Sequence, residues 1–343
     1  MTQPTHKLSD IDISVLDLVA ITADSTPAIA MKNSLDLAQH AENWGYKRFW
    51  LAVHHNMKSI ASTATSVLIG YVAGGTSKIR VGSGGIMLPN HAPLVVDEQF
   101  GTLETLYPGR IDLGLGRAPG TDQLTAMALR RSLTGSVDDF PNNVAELQSY
   151  LAPANSGTRV RAIPGEGLQI PIWLLGSSTF SAQLAGMLGL PFAFASHFAP
   201  TLLESALKIY RDSFRPSESL AAPKVLACIN VVAAETDARA QKLATSLYLF
   251  ALGVVRGSAM PLQAPVEDLD YYWDGSEKYA VQQMFRYSFI GGPETIKKSL
   301  ENFISQTQVD ELMVVSHIYD HTARLKSYEI LANLHQEKEV LVA

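Results

Sequence analysis

The sequence predicts an α/β fold, a closed (β/α)8 TIM-like barrel with insertions at its C-terminal face. Three observations carry this. Short β-rich runs alternate with helical patterns from one end of the 343-residue chain to the other. The alternation persists through eight units, the number that closes such a barrel. No shift in composition marks a linker, so residues 11–343 read as one domain behind a flexible N-terminus at residues 1–10, "MTQPTHKLSD". A doubly wound open sheet is the alternative, and eight consecutive units favour closure.

The first strand lies in "DISVLDLVA". In the following "SLDLAQHAENWG", Leu37, Ala38, Ala41 and Trp44 share one helical face, and Gly45 suits the position just past a helix end. "RFWLA" is the second strand, followed by the helical "STATSVLIGYVA" with its Ser/Thr start. "IRVGSGGIML" is the third. It leads into "APLVVDEQFGTLETLY", where Pro93 suits a first helical turn and Val96, Phe100 and Leu103 share a face. "YPGRIDLGLGRAPG" supplies a Pro-Gly turn, the fourth strand and a glycine-rich exit. "IPIWLLGSS" is the fifth, and Phe180, Leu184, Met187 and Leu188 align on the helix after it. "PFAFASH" is the sixth, before a helix with Leu203, Ala206, Leu207 and Tyr210 on one side. "KVLACINVVAA" is the seventh, leading into a helix from Thr236 to Leu252. "DELMVVSH" is the eighth, with "ARLKSYEILANL" closing the chain. Two stretches are too long for ordinary connections and read as insertions at the active-site face. They are the polar sequence around Gly135 to Gly167 and the segment "SAMPLQAPVEDLDYYWDGSEKYA".

Composition narrows the function. With a formal net charge of −6, a pI near 5.8 and no Lys/Arg run, the chain lacks the footprint of a nucleic-acid binder. No uninterrupted apolar segment approaches the ~18 residues of a transmembrane helix, and the first ten residues carry no signal-peptide core. The single cysteine, Cys228, sits in an apolar run and reads as a buried core thiol. The expectation is a soluble, acidic protein of a reducing, cytoplasmic compartment.

In such barrels chemistry sits where strands give way to helices. The exits offer Val53, His54, His55 and Asn56 after strand two, and Gly82, Gly84, Gly85, Asn90 and His91 around strand three. Strand four ends in Gly116, Arg117, Ala118 and Gly120, strand five in Gly176, Ser177 and Ser178, and strand six in His197. The Gly176-Ser177-Ser178 turn would present backbone N–H groups and two hydroxyls at a helix N-terminus, an anion site. Arg117, from the adjacent exit, carries a guanidinium that matches phosphate geometry. Singly, these serines read as helix caps and Arg117 as a surface ion-pair partner; together they favour a phosphate. Gly84 and Gly85 allow either a β-bulge or close approach of a flat ligand. No H-x-H or H-E-x-x-H pattern supports a metal site. One histidine acting as general acid or base near neutral pH is the functional reading, with a satisfied structural role the alternative for His55, His91 and His197.

These motifs resemble a known family. "GYKRFWLAVHHNM", "VGSGGIMLPNHAPLVVDEQFGTLETLYPGRIDLGLGRAPGTD", "IWLLGSSTFSAQLAGMLGLPFAFASHF" and "IGGPETIKKSL" are similar to the bacterial luciferase-like flavin monooxygenases, closest to their single-chain branch. The resemblance spans nearly the whole chain. It implies a barrel that binds reduced FMN and uses O2 to oxygenate a small organic substrate through a flavin C4a-peroxide, with FMNH2 supplied by a separate NAD(P)H:flavin reductase. It implies His54 as the catalytic histidine beside the flavin, and Arg117 with Ser177 or Ser178 as phosphate-binding groups. Gly84-Gly85 lies where relatives often carry a non-prolyl cis peptide beneath the isoalloxazine. A homodimer through barrel helices is also implied. One departure is visible: relatives commonly have Glu-His-His where this chain has Val53-His54-His55, and losing a carboxylate neighbour disfavours the imidazolium. F420-dependent hydride transfer, found in the same superfamily, and non-catalytic flavin binding are the rival readings.

Overall fold

The computed structural model describes residues 7–118, 123–129, 139–155 and 157–337. Ten strands follow in chain order: β1 (Asp12–Asp17), β2 (Arg48–Leu51), β3 (Arg80–Ser83), β4 (Ile86–Met87), β5 (Ile111–Gly116), β6 (Ile172–Gly176), β7 (Phe192–Phe194), β8 (Val225–Ala233), β9 (Ser288–Gly291) and β10 (Glu311–Val315). All except β4 and β9 pair in parallel around a closed ring, with β8 meeting β10 and β10 meeting β1. The eight strands of this barrel are the eight that the pattern of β-rich runs predicts.

The helices are α1 (Pro27–Asn43), α2 (Thr65–Gly74), α3 (Pro93–Leu106), α4 (Gln123–Leu129), α5 (Phe140–Leu151), α6 (Thr179–Leu188), α7 (Leu203–Ser213), α8 (Asp237–Val255), α9 (Gly275–Met284), α10 (Pro293–Thr307) and α11 (His321–Gln336). Their apolar stripes face the strands. On α1, Leu37, Ala38 and Ala41 are fully buried, the Thr26 hydroxyl caps the Ile29 amide, and Gly45 takes the left-handed conformation just past the end. On α3 the buried face is Val96, Phe100 and Leu103. Both match the sequence pattern.

Several elements depart from it. The third predicted strand is two pieces, β3 and β4, separated by a cis Gly84–Gly85 peptide. The stretch from Gly135 to Gly167 is not wholly an insertion. It carries α5, the ring helix between β5 and β6, which packs on α3 through buried Phe140, Val144, Leu147 and Leu151. Its residues 135–138, and Gly120, lie outside the described residues. The second long stretch does belong to an addition, and a larger one than its composition marks. Between β8 and the ring helix α10 the chain forms α8, a loop, α9 and β9. That loop passes over β10 to the β1 exit, where Leu262 exchanges backbone hydrogen bonds with Ile21 and Ala23. The strand β9 was not evident because "SFIG" is short and only half-buried.

The α6 face is the third departure. Phe180 and Met187 are exposed, and the buried residues are Ser181, Ala182, Ala185 and Gly186. Packing against α7 explains it: a Cβ on Gly186 would lie 2.8 Å from the Tyr210 carbonyl oxygen. So close an approach requires small residues and turns the large ones outward. Of the segment 1–10, residues 1–6 lie outside the described residues, while Leu8–Asp10 form a single 3-10 turn with Leu8 buried.

Candidate active site

The barrel interior holds two polar layers. At the N-terminal end, Arg48 donates from Nη1 to Asp112 Oδ2 (2.6 Å) and from Nε to Glu311 Oε1 (2.7 Å). Ser14 and Trp50 add bonds to Glu311 and Asp112, and Arg80 reaches the other Asp112 oxygen. The carboxylates are fully buried and the Arg48 guanidinium nearly so, lying 4.9 Å from the Trp173 ring centre. The two flanking anions hold the Arg48 pKa above its usual value despite burial. This layer closes the floor.

Above it, at the C-terminal mouth, three histidines converge from three strand exits. His54 follows β2, His197 follows β7 and His317 follows β10. Burial is the main cause pushing His54 down to about 4, with a contribution from His55. Burial likewise pushes His197 to about 3, with His317 and His54 adding to it. His317 falls to about 4 through burial, then the Arg324 charge, with Asp17 acting in the opposite direction. All three rings are therefore neutral at pH 7. Each has a buried Nδ1 without a hydrogen-bond partner, as does Asn230 Oδ1 on β8. Asn230 Nδ2 donates to the His197 carbonyl (2.6 Å). Phe250 of α8 stacks on His317 at 5.0 Å, and Phe198 meets His197 edge-on at 4.8 Å.

The other predicted exits form the rim. The His55 and His91 rings lie with their centres 6.4 Å apart. The cis Gly84–Gly85 peptide lies over the barrel wall, because Gly114 on β5 has no side chain: a Cβ there would sit 2.1 Å from the Ser83 carbonyl oxygen. The β5 and β6 exits are adjacent, Gly116 pairing with Leu175. Arg117 extends from β5 over the Phe180 ring at the start of α6, 4.3 Å from its centre. Among the described residues no carboxylate pairs with Arg117. Ser178, the α6 N-cap, makes no side-chain capping bond, which leaves its hydroxyl and the first-turn amides for another acceptor. Arg117 and the Gly176-Ser177-Ser178 turn thus stand at neighbouring strand exits. A guanidinium, two hydroxyls and helix N–H groups are the donor set of a phosphate site, so these residues fit an FMN phosphate.

Sequence reasoning missed three members of the mouth. His317 stands at the exit of strand eight, where the rule that selected His54 would also have selected it. Asn230 is the polar residue inside the apolar "KVLACINVV". Phe250 lies on a helix with no exit signal and reaches the mouth only through the added α8. Val53 is buried, and burial with His55 accounts for the low His54 pKa in the absence of a neighbouring carboxylate.

A family model described as luciferase-like monooxygenase matches residues 11–311. The chain belongs to the luciferase-like monooxygenase family. Among its relatives, the Bacillus subtilis (strain 168) uncharacterized protein YvbT is 55% identical, over 96% of this chain and 98% of the relative. A luciferase-like monooxygenase of Escherichia coli (strain K12) is 51% identical over 95% and 98%. The N-acetyl-S-alkylcysteine monooxygenase of Bacillus subtilis is 32% identical over 94% and 98%. Among solved structures, apo-MsnO8 superposes with TM-score 0.88 at 36% identity, covering 96% of this chain and 99% of that one. Two more distant structures share the fold. The oxygenating constituent of 3,6-diketocamphane monooxygenase from Pseudomonas putida, in complex with FMN, has TM-score 0.68 at 16% identity, covering 94% and 97%. An F420-dependent secondary alcohol dehydrogenase has TM-score 0.70 at 15% identity, covering 96% and 100%. As a luciferase-like monooxygenase family member the chain has no described helix long and apolar enough to cross a membrane.

Proposed function

We propose that this chain is an FMNH2-dependent monooxygenase that inserts one O2-derived oxygen into a small organic substrate, with FMNH2 supplied by a separate NAD(P)H:flavin reductase. The observation that supports the reading is Arg117, which pairs with no carboxylate among the described residues and lies over the start of α6. Arg117, Ser177 and Ser178 hold the FMN phosphate with the α6 amides, and the Gly84–Gly85 backbone faces the ring system. Reduced FMN, when bound, supplies the electrons that activate O2. His54, neutral at working pH, accepts a proton or a hydrogen bond at the reacting centre. Phe250 of α8 and Phe198 border the mouth beside His317 and His197 and limit the entry of water. A second copy of the chain docks on α2 and α3, where Val67, Tyr71, Val95 and Leu106 leave an apolar outer face.

The test is an anaerobic titration with FMNH2, FMN and F420 of wild type and Arg117→Ala. FMNH2 binding is expected to weaken by roughly tenfold to a hundredfold in the variant, the loss of one charge-assisted contact, with thermal stability unchanged. Preference for F420 would replace the oxygenase with a hydride-transfer enzyme. Failure to bind any flavin would overturn the reading.

A further inference from the structure

We propose that His197, His317 and Asn230 form the polar end of the substrate chamber, and that the substrate is uncharged, largely apolar and presents a neutral hydrogen-bonding group to them. The reaction rests on the monooxygenase reading; the recognition does not.

The first support is the set of buried atoms left unmatched. Among the described residues, Nδ1 of His54, His197 and His317 and Oδ1 of Asn230 have no hydrogen-bond partner. Buried polar atoms are almost always hydrogen-bonded, and these four gather at one place. The three rings act on one another electrostatically, and Asn230 is tied to the His197 carbonyl. A chamber whose own chain satisfies none of them is complete only with a ligand that does. His54 is already assigned to the reacting centre, which leaves His197, His317 and Asn230 for the substrate's polar group.

The second support is the walls. Phe250 lies flat on His317 and Phe198 stands edge-on to His197. Beside His317 opens a small cleft of about 30 Å3, bordered by Leu18, Leu262 and Ile318 on its apolar side and by Asp17, Asn33, His321 and Arg324 on its polar side. The two phenyl rings suit an apolar body.

The third support is charge. Among the described residues, the fixed charges that act on the three rings are Asp17 and Arg324, and these face the same cleft. They are joined to each other at 2.7 Å, and the Ser34 hydroxyl also acts on Asp17. An entering carboxylate would have to surrender its hydration without gaining a free counter-charge. An ammonium would meet a carboxylate whose charge Arg324 already offsets, with Asp17 Oδ2 its one oxygen that has no hydrogen-bond partner among the described residues. A neutral carbonyl, thioether or hydroxyl meets imidazoles that can present Nδ1 as donor or acceptor by changing tautomer.

The experiment follows the side-chain nitrogen resonances of 15N-histidine-labelled protein, free and with saturating FMN, assigned through His197→Gln and His317→Gln. Acetophenone, methyl phenyl sulfide and benzyl alcohol are the neutral probes; phenylglyoxylate and phenethylamine are their ionic counterparts. Neutral probes are expected to shift both the His197 and His317 resonances and to bind at least tenfold more tightly than either ion. His317→Phe is expected to weaken acetophenone about tenfold and leave ethylbenzene, which lacks the polar group, unaffected. Tighter binding of an ion overturns the proposal. So does silence of both resonances with every neutral probe up to its solubility limit, or their saturation by FMN alone with no further movement. Because the free protein is tested as well, loss of flavin binding would sink the oxygenase reading and leave this one standing.

Discussion

The floor and the mouth of the barrel are built from the same strands, a few residues apart, and treat buried polarity in opposite ways. At the floor, Arg48, Asp112, Glu311, Ser14 and Trp50 bond to one another. At the mouth, His54, His197, His317 and Asn230 keep atoms that no described residue hydrogen-bonds. Burial is comparable, with Glu311 at 0% exposure and His317 at 6%. What differs is charge. Ions cannot be buried unless they are paired, so the floor has to be self-sufficient. Imidazoles can shed their proton instead and wait in neutral form. The lesson is that a paired polar layer serves the fold, and an unpaired neutral one serves a guest.

Three substitutions separate the two behaviours. The largest effect belongs to Arg48→Met. It strands two buried carboxylates and is expected to cost about 3–5 kcal/mol, read as a lower midpoint in chemical denaturation. A loss under about 1 kcal/mol would mean that the floor is not held by its ions.

The mouth predicts acid sensitivity. The folded pKa values of His54, His197 and His317 lie below the ordinary imidazole value of 6.5. Below pH 6.5 the unfolded chain takes up protons that the folded chain refuses, so stability falls as pH drops from 6.5 toward 4. Between pH 7 and pH 5 each ring contributes a loss of roughly 2 kcal/mol. His197→Gln should therefore lose about 2 kcal/mol less than wild type over that interval; identical slopes would place the ring in water.

The smallest effect tests a buried group that is neutral yet faces no ligand. Asp97 on α3 has both carboxyl oxygens buried without partners, and burial pushes its pKa up to about 7. Here the sign reverses: the folded state retains the proton, and stability is lost as pH rises through 7. Asp97→Asn should abolish a decline of roughly 1 kcal/mol between pH 6 and pH 8, measured by thermal unfolding at the two values. An unchanged decline would assign it elsewhere.

Most of the frame was legible because period and burial are local properties. Strands such as "KVLACINVV" announce themselves, and α1 and α3 display their buried faces in sequence. The failures came where a distant element decided the outcome. The α6 face was misread because large residues signal burial, while the approach of α7 selects small ones. Freed from the core, Phe180 became the platform for Arg117. At the site, adjacency of β5 and β6 exits could be deduced from strand order, so Arg117 and the serines were found together. The cis Gly84–Gly85 bond was anticipated from resemblance alone, since two glycines equally permit a bulge. The unmet Nδ1 atoms were invisible, because an absent partner leaves no trace in a sequence.

One feature of β8 links these parts. The strand is nine residues long, and Asn230 is where it changes neighbours: Asn230 is paired with Val315 of β10 and with Ser288 of β9. Below that residue β8 is barrel stave; above it, it is the mast to which the added α8–β9 roof is rigged. The same Asn230 holds the His197 backbone. Roof and chamber thus share two points of attachment, Asn230 beside His197 and Phe250 upon His317, so the same residues that anchor the addition also shape the chamber.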